Sequence, residues 1–191
     1  MKKIISSSLL AVIGILFAAG AQAQQVYVGG TVGESFWNAD CSGTTDCSKY
    51  HSNYKAILGY TFNPSWALEA SYFSVGETTA NIGEISGGVK ATGIDLGGVY
   101  RVDLGNKWGA FAKFGVSDNR AQVTATETDV AQTTAETKKA GAFGGLGVTY
   151  SMTRDTAFRA DVDARRIEVD STSGSSSGNV YSVNIGIQVA F

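Results

Sequence analysis

His51 is the only histidine in the 191 residues, and Asp46, Ser48 and Ser52 stand within five positions of it. A base beside a hydroxyl is the minimum equipment for nucleophilic or base-assisted hydrolysis. That group is the one place where catalysis is conceivable. A lone histidine among common serines in a polar segment is more simply a solvated residue, so no catalytic residue is expected. Cys41 and Cys47, with five residues between them, cannot complete a tetrahedral zinc site with a single histidine unless carboxylates are borrowed. Their nearness in a polar segment suits a disulfide made in an oxidising compartment, rather than two free thiols. The glycines from Gly141 to Gly147 follow no phosphate-binding spacing and precede no helix pattern, so they read as strand glycines. No cofactor or metal is expected.

A different pattern lies further on, where Arg159, Asp161, Asp163 and Arg165 alternate with Phe158, Ala160, Val162 and Ala164. Period-two alternation is the signature of a strand with two unlike faces. One of those faces carries charges of both signs. The same period recurs in eight segments, near 26–37, 53–62, 66–76, 89–103, 108–118, 138–151, 156–168 and 179–191. It is clearest in the last, where Tyr181, Val183, Ile185, Ile187, Val189 and Phe191 share a face. Alternation alone does not say which face is outside.

The connections carry that information. Asn63-Pro64-Ser65, Leu104-Gly105-Asn106-Lys107 and Met152-Thr153-Arg154-Asp155 are tight turns, whereas 38–52, 77–88, 119–137 and 169–178 are longer and polar. Long and short alternate strictly, which in an up-and-down sheet places every long loop at one end and both termini at the other. Tyr60, Phe62, Trp66, Tyr100, Trp108, Tyr150, Phe158 and Phe191 all fall near the short turns or the C-terminus, on apolar faces. They form a ring of the kind expected at a membrane–water interface.

The N-terminus sets the compartment. Lys2 and Lys3, an apolar run from Ile4 to Ala19, and Ala21-Gln22-Ala23 have the form of a secretory signal cleaved between Ala23 and Gln24. Residues 1–23 are thus expected to be removed, leaving 24–191 as one barrel domain. Beyond Ala23 no stretch approaches the roughly 18–20 apolar residues of a membrane-spanning helix. With 24 glycines and one proline, and a charge moving from −2 to −4 once the two lysines are lost, the composition is all-β and has no basic patch for nucleic acid. The expected fold is an all-β, eight-stranded antiparallel up-and-down transmembrane barrel in the outer membrane. A soluble lipocalin-like barrel is the rival.

Tyr27-Val28-Gly29-Gly30, Leu58-Gly59-Tyr60-Thr61-Phe62-Asn63-Pro64, Trp66-Ala67-Leu68-Glu69-Ala70, Lys90-Ala91-Thr92-Gly93-Ile94-Asp95-Leu96, Ala142 to Tyr150 and Phe158-Arg159-Ala160-Asp161 occur in an order that resembles the eight-stranded transmembrane domain of the OmpA family. The resemblance covers nearly all of 24–191. It implies that Phe191 is the C-terminal aromatic presented to the barrel-assembly machinery during biogenesis. It also implies a carboxylate and an arginine at the positions matching Glu69 and Arg159. Two further positions charged in a relative are Val99 and Thr149 here, so a gating ion-pair switch is not carried over. Larger members continue into a peptidoglycan-binding domain, whereas this sequence stops at Phe191, so no anchoring to the cell wall is expected.

Eight strands enclose a space that side chains fill. By strand parity the interior charges are Lys55, Glu69, Asp95, Arg101, Lys113, Lys139, Arg159, Asp161, Asp163 and Arg165, expected to pair across the lumen as a structural network. The expected role is structural or surface-interacting, with four extracellular loops and a plugged lumen. Outer-membrane lipid and lipopolysaccharide are its surroundings, and a host or phage ligand at the loops would make it an adhesion or serum-resistance barrel. A lipid-modifying enzyme built on His51 is the other alternative.

Overall fold

The computed structural model describes residues 26–37, 46–47, 50–82, 85–127, 130–171 and 174–191. Eight strands build the wall: β1 (Val26–Trp37), β2 (Tyr50–Asn63), β3 (Trp66–Ile82), β4 (Ile85–Gly105), β5 (Trp108–Glu127), β6 (Val130–Ser151), β7 (Thr156–Ser171) and β8 (Gly174–Ala190). Each pairs antiparallel with its neighbours in the chain, and β8 closes on β1 from Tyr27↔Ala190 to Trp37↔Val180. Phe191 adds one rung, its N–H donating to the Val26 carbonyl at 2.9 Å. Closure removes the free edges that an open sheet leaves unpaired, which is the condition for a sheet to stand in hydrocarbon.

The faces are inverted relative to a soluble barrel. Along β2 the side chains of Asn53, Lys55 and Ile57 are buried, while Tyr54, Ala56, Leu58 and Tyr60 are exposed. Over the described wall, Leu58, Leu68, Ile94, Leu96, Leu104, Leu146, Ile185 and Ile187 all point outward. A leucine or isoleucine moved out of water gains about 1.5–3 kcal/mol when fully covered, so eight of them about half exposed would forfeit on the order of 10 kcal/mol in water. That is comparable with the whole net stability of a domain, about 5–15 kcal/mol. The surroundings of this wall are therefore hydrocarbon. Outward positions on β8 and the Phe191 that follows it run from Tyr181 to Phe191, about 33 Å of extended chain, which a strand tilted by roughly 40° projects to about the 25 Å height of an outer-membrane apolar band.

The short turns lie where the sequence places them. Asn63 Oδ1 accepts the N–H groups of Ser65 (3.0 Å) and Trp66 (2.9 Å), closing the first turn around Pro64. Asn106 and Lys107 have φ of +52° and +70° after Gly105 at +78°. Two consecutive left-handed residues twist a hairpin in the same sense as its strands.

The long connections differ from the expectation. Of 77–88, 119–137 and 169–178, all but 83–84, 128–129 and 172–173 continue the strands. The β5–β6 ladder runs from Trp108↔Tyr150 to Glu127↔Val130, and β4 pairs with β5 as far as Ile85↔Glu127. With β3, these strands form a four-stranded sheet reaching well past the end of the β6–β7 ladder, which stops at Phe143↔Arg165. Outside hydrocarbon no apolar face is needed, so these Thr-, Ala- and Ser-rich stretches keep strand geometry without the alternation that reveals a strand. A two-residue strand, Asp46–Cys47, pairs with Ala80 and Asn81 on β3.

Candidate functional site

The interior is layered. Toward the short turns, Tyr27, Ile57, Ala67, Val99 and Phe111 form one buried apolar cluster; toward the far end, Phe73, Val75, Ala91 and Val180 form another. Charged side chains occupy the level between them. On β3 the inward order from the turn is Ala67, Glu69, Ser71, Phe73, Val75, so one strand carries both apolar layers and the charged one. Parity decides which side chains enter the lumen, and the position along the strand decides at which level.

The ionic layer is held by four carboxylates and four cations, all at most 5% exposed. Asp163, with no exposed surface, lies at its centre. Lys55 Nζ reaches Asp163 Oδ2 at 2.8 Å and Asp161 Oδ1 at 2.7 Å. Lys113 Nζ stands 2.6 Å from Asp163 Oδ1. Arg165 grips Asp95 through Nη2 at 2.6 Å and touches Asp163 at 3.1 Å. Arg159 forks onto Glu69, Nη1 to Oε2 at 2.8 Å and Nη2 to Oε1 at 3.1 Å, and its Nε reaches Asp161 at 2.9 Å. Bidentate guanidinium–carboxylate pairs are the strongest of these contacts and also the most directional. Every charge has an opposite charge, which is the condition for keeping ions out of bulk water.

Neutral side chains complete the layer. Tyr27 Oη donates to Glu69 (3.0 Å), Ser117 Oγ to Asp95 (2.6 Å), Asn184 Nδ2 to Asp161 (2.9 Å), and Arg165 Nη1 to Ser182 Oγ (3.1 Å). The apolar layers clamp the two arginines from either side, with Phe111 4.3 Å beneath the Arg159 guanidinium and Phe73 4.3 Å from that of Arg165. Sequence reasoning did not single out Tyr27, Phe73, Phe111, Ser117 or Asn184. The same period-two parity that located the charges would have placed them inside.

Of the charges placed inside by parity, Glu69, Asp95, Lys113, Arg159, Asp161, Asp163 and Arg165 meet, with Lys55, in this layer. Arg101 does not. It lies beyond the turn-side apolar cluster, half-buried, with Nη1 3.1 Å from Thr61 Oγ1 and its guanidinium 4.6 Å over the Tyr27 ring. Lys139 is half-buried near the opposite end, on the part of β6 above its ladder with β7. Val99 is buried in the turn-side cluster and Thr149 lines the cavity below it. His51 pairs with Ser35 across β1 and β2, while Ser52, the next residue, is on the other face of the strand and exposed. The His51 and Ser52 side chains are therefore not brought together. Ser48, Cys41 and the junction of Ala23 and Gln24 lie outside the described residues, as do the side chains of Asp46 and Cys47. Phe191 is exposed at the end of the wall.

Outside, the aromatic side chains at the turn end pack in pairs. Tyr60 packs edge-on to Phe62 at 5.3 Å, and Trp66 with Tyr100 and Trp108 with Tyr150 at 5.0 Å. A second set, Tyr54, Tyr72 and Tyr181, is exposed toward the other end. Two aromatic belts flanking an apolar band are the surface of a membrane-spanning barrel.

Solved structures with the same fold are outer-membrane barrels. Neisserial surface protein A superposes with a TM-score of 0.65 at 16% identity, covering 89% of this chain and 99% of its own. Ail, the attachment invasion locus protein of Yersinia pestis, gives 0.57 at 14%, covering 89% and 100%. OprG of Pseudomonas aeruginosa gives 0.57 at 15%, covering 90% and 98%. No curated protein sequence matches the chain. The sequence profile of the OmpA-like transmembrane domain matches residues 21–191. With that match spanning a closed wall that is apolar outside and ionic within, the chain belongs to the OmpA-like transmembrane domain family of outer-membrane β-barrels.

Proposed function

We propose that this protein is a non-enzymatic outer-membrane barrel with a structural and surface-interacting role, its lumen closed to ions and its active surface the strand ends opposite the short turns. The observation that carries the reading is the layered interior: four buried cations neutralise four buried carboxylates between two apolar clusters. An ion entering this path would have to break pairs whose loss leaves uncompensated buried charge, a cost of about 3–5 kcal/mol for each broken pair. The short turns face the periplasm, as in barrels of this class, and the long hairpins face outward. Export by a signal cleaved after Ala23, a Cys41–Cys47 disulfide in the first hairpin and recognition of Phe191 by the assembly machinery belong to the same reading.

A host-binding version of this role is favoured by the tall β3–β6 sheet, because strands already paired beyond the membrane present their surface at less ordering cost than unpaired loops would. Ail, which shares the fold, has been crystallised in complex with the heparin analogue sucrose octasulfate. The test is to replace 124–134 with Asn-Gly, closing the β5–β6 hairpin just above the Val123↔Ala135 pair. The shortened barrel should remain in the outer-membrane fraction and still change gel mobility on boiling, while adhesion of expressing cells to host cells falls. Unchanged adhesion removes the host-binding version. Single-channel current through the wild-type barrel removes the closed lumen. A change in lipid A mass that disappears in His51→Ala would install the enzymatic reading instead.

A further inference from the structure

Arg101 is the one interior cation among the described residues that stands on the turn side of the apolar cluster of Tyr27, Ile57, Ala67, Val99 and Phe111, away from the carboxylates of the ionic layer. The four carboxylates of that layer are each taken by Lys55, Lys113, Arg159 or Arg165. Among the described residues no carboxylate forms an ion pair with Arg101, and its side-chain partners are neutral: the Thr61 hydroxyl, and Tyr27 through both its ring and its hydroxyl. A guanidinium carries five N–H donors. These contacts leave donors without a partner of opposite charge.

The space beside it is built to take one. Arg101 lines a cavity of about 350 Å³ at the turn end and a second of about 230 Å³ beside it, and Gln188, Ser151 and Pro64 border both. Thr149 and the buried Arg159 face the larger one. Two carboxylates approach these cavities: Asp103, whose Oδ1 already accepts the Gly105 N–H at 2.8 Å, and Asp155 at the rim of the smaller. A half-buried guanidinium facing neutral hydroxyl and amide side chains, in a volume typical of small-ligand sites, matches an oxyanion with a few attached atoms.

We propose that the turn-end vestibule is a binding site for a small oxyanion, a carboxylate or a phosphate, with Arg101 as its charged anchor and Thr61, Thr149, Ser151 and Gln188 as neutral partners. The proposal stands on the cavity and its residues, independently of the surface role of the opposite end. In the orientation proposed above, the ligand arrives from the periplasm.

The test uses the isotopically labelled full barrel, folded in detergent micelles, titrated separately with sodium acetate and sodium phosphate at constant ionic strength made up with chloride. The signals read are the Arg101 Nε–Hε and the amides of Thr149 and Gln188. Saturable shifts with acetate, phosphate or both are expected. Acetate alone identifies a carboxylate site and phosphate alone a phosphate site. In Arg101→Gln the Thr149 and Gln188 shifts should need a concentration about tenfold higher or more, as befits the loss of a charge-assisted hydrogen bond. Ser151→Trp, which keeps the arginine and blocks the mouth, should abolish saturation while boiling still changes gel mobility. Shifts that stay linear and match those in chloride alone overturn the proposal. So does an Arg101→Gln barrel that titrates like the wild type.

Discussion

Asp163→Asn tests the closed ionic layer most directly, because the change keeps the shape of the side chain and removes one charge. In the wild type the carboxylate faces Lys55 at 2.8 Å, Lys113 at 2.6 Å and Arg165 at 3.1 Å, with no exposed surface. After substitution four buried cations face three carboxylates, and an amide nitrogen turns toward a lysine. Removing one partner of a buried pair costs about 3–5 kcal/mol. Asp161 and Asp95 still neutralise part of the cluster, so the lower half of that range is expected, about 3–4 kcal/mol. Lys113→Met should cost less, because Lys113 meets only Asp163 and, at 3.6 Å, Asp161 among the ion pairs of the layer. The double variant restores the balance of charge. It should be more stable than the sum of the two single losses by about 1–3 kcal/mol, the range for directly coupled sites. The assay is urea unfolding and refolding in lipid vesicles, followed by the mobility difference between folded and boiled protein. A loss below about 1 kcal/mol for Asp163→Asn, or additivity within about 0.5 kcal/mol for the double variant, would show that water or lipid headgroups screen the layer and that it is not closed.

The other predictions use the same assay. Leu146 is 67% exposed on the outer wall; Leu146→Arg should cost about 2–4 kcal/mol in a bilayer, whereas an arginine at this site on a water-facing barrel would be close to neutral. At Gly59 a Cβ would fall inside the ring of Tyr27, which is tied to Glu69. Gly59→Ala should therefore cost about 1–3 kcal/mol, and less than that when introduced into a Tyr27→Ala background. Lys107 holds φ at +70° in the two-residue β4–β5 turn; Lys107→Gly should raise stability by about 0.5–1 kcal/mol, and a loss would show that the turn's left-handed geometry is not what limits it.

The architecture was legible because a barrel wall is a local pattern repeated eight times. Period-two alternation assigns faces residue by residue, and Arg159, Asp161, Asp163 and Arg165 on one side of β7 identify that side as the interior once the turns and aromatics fix the layout. The upper strands were not legible. Alternation comes from a hydrocarbon–polar boundary, and above that boundary the stretches 121–127 and 130–137 pair, with one register shift between Ala125 and Glu127, without needing one face to be apolar.

Sequence alone determined the strand count, the turn end, the outward aromatics and the charged side chains on the lumen side. Tertiary structure decided who meets whom. Lys55 finds Asp161 and Asp163 more than a hundred residues away, and Arg159 finds Glu69 ninety residues back. Arg101 has the parity of the network yet stands apart from it, because parity specifies the side of the wall and not the height along the axis. Height depends on register and on the stagger between strands of the closed barrel. It is this stagger that sets Arg101 on the turn side of the apolar cluster, away from the carboxylates, and leaves its charge facing an open cavity.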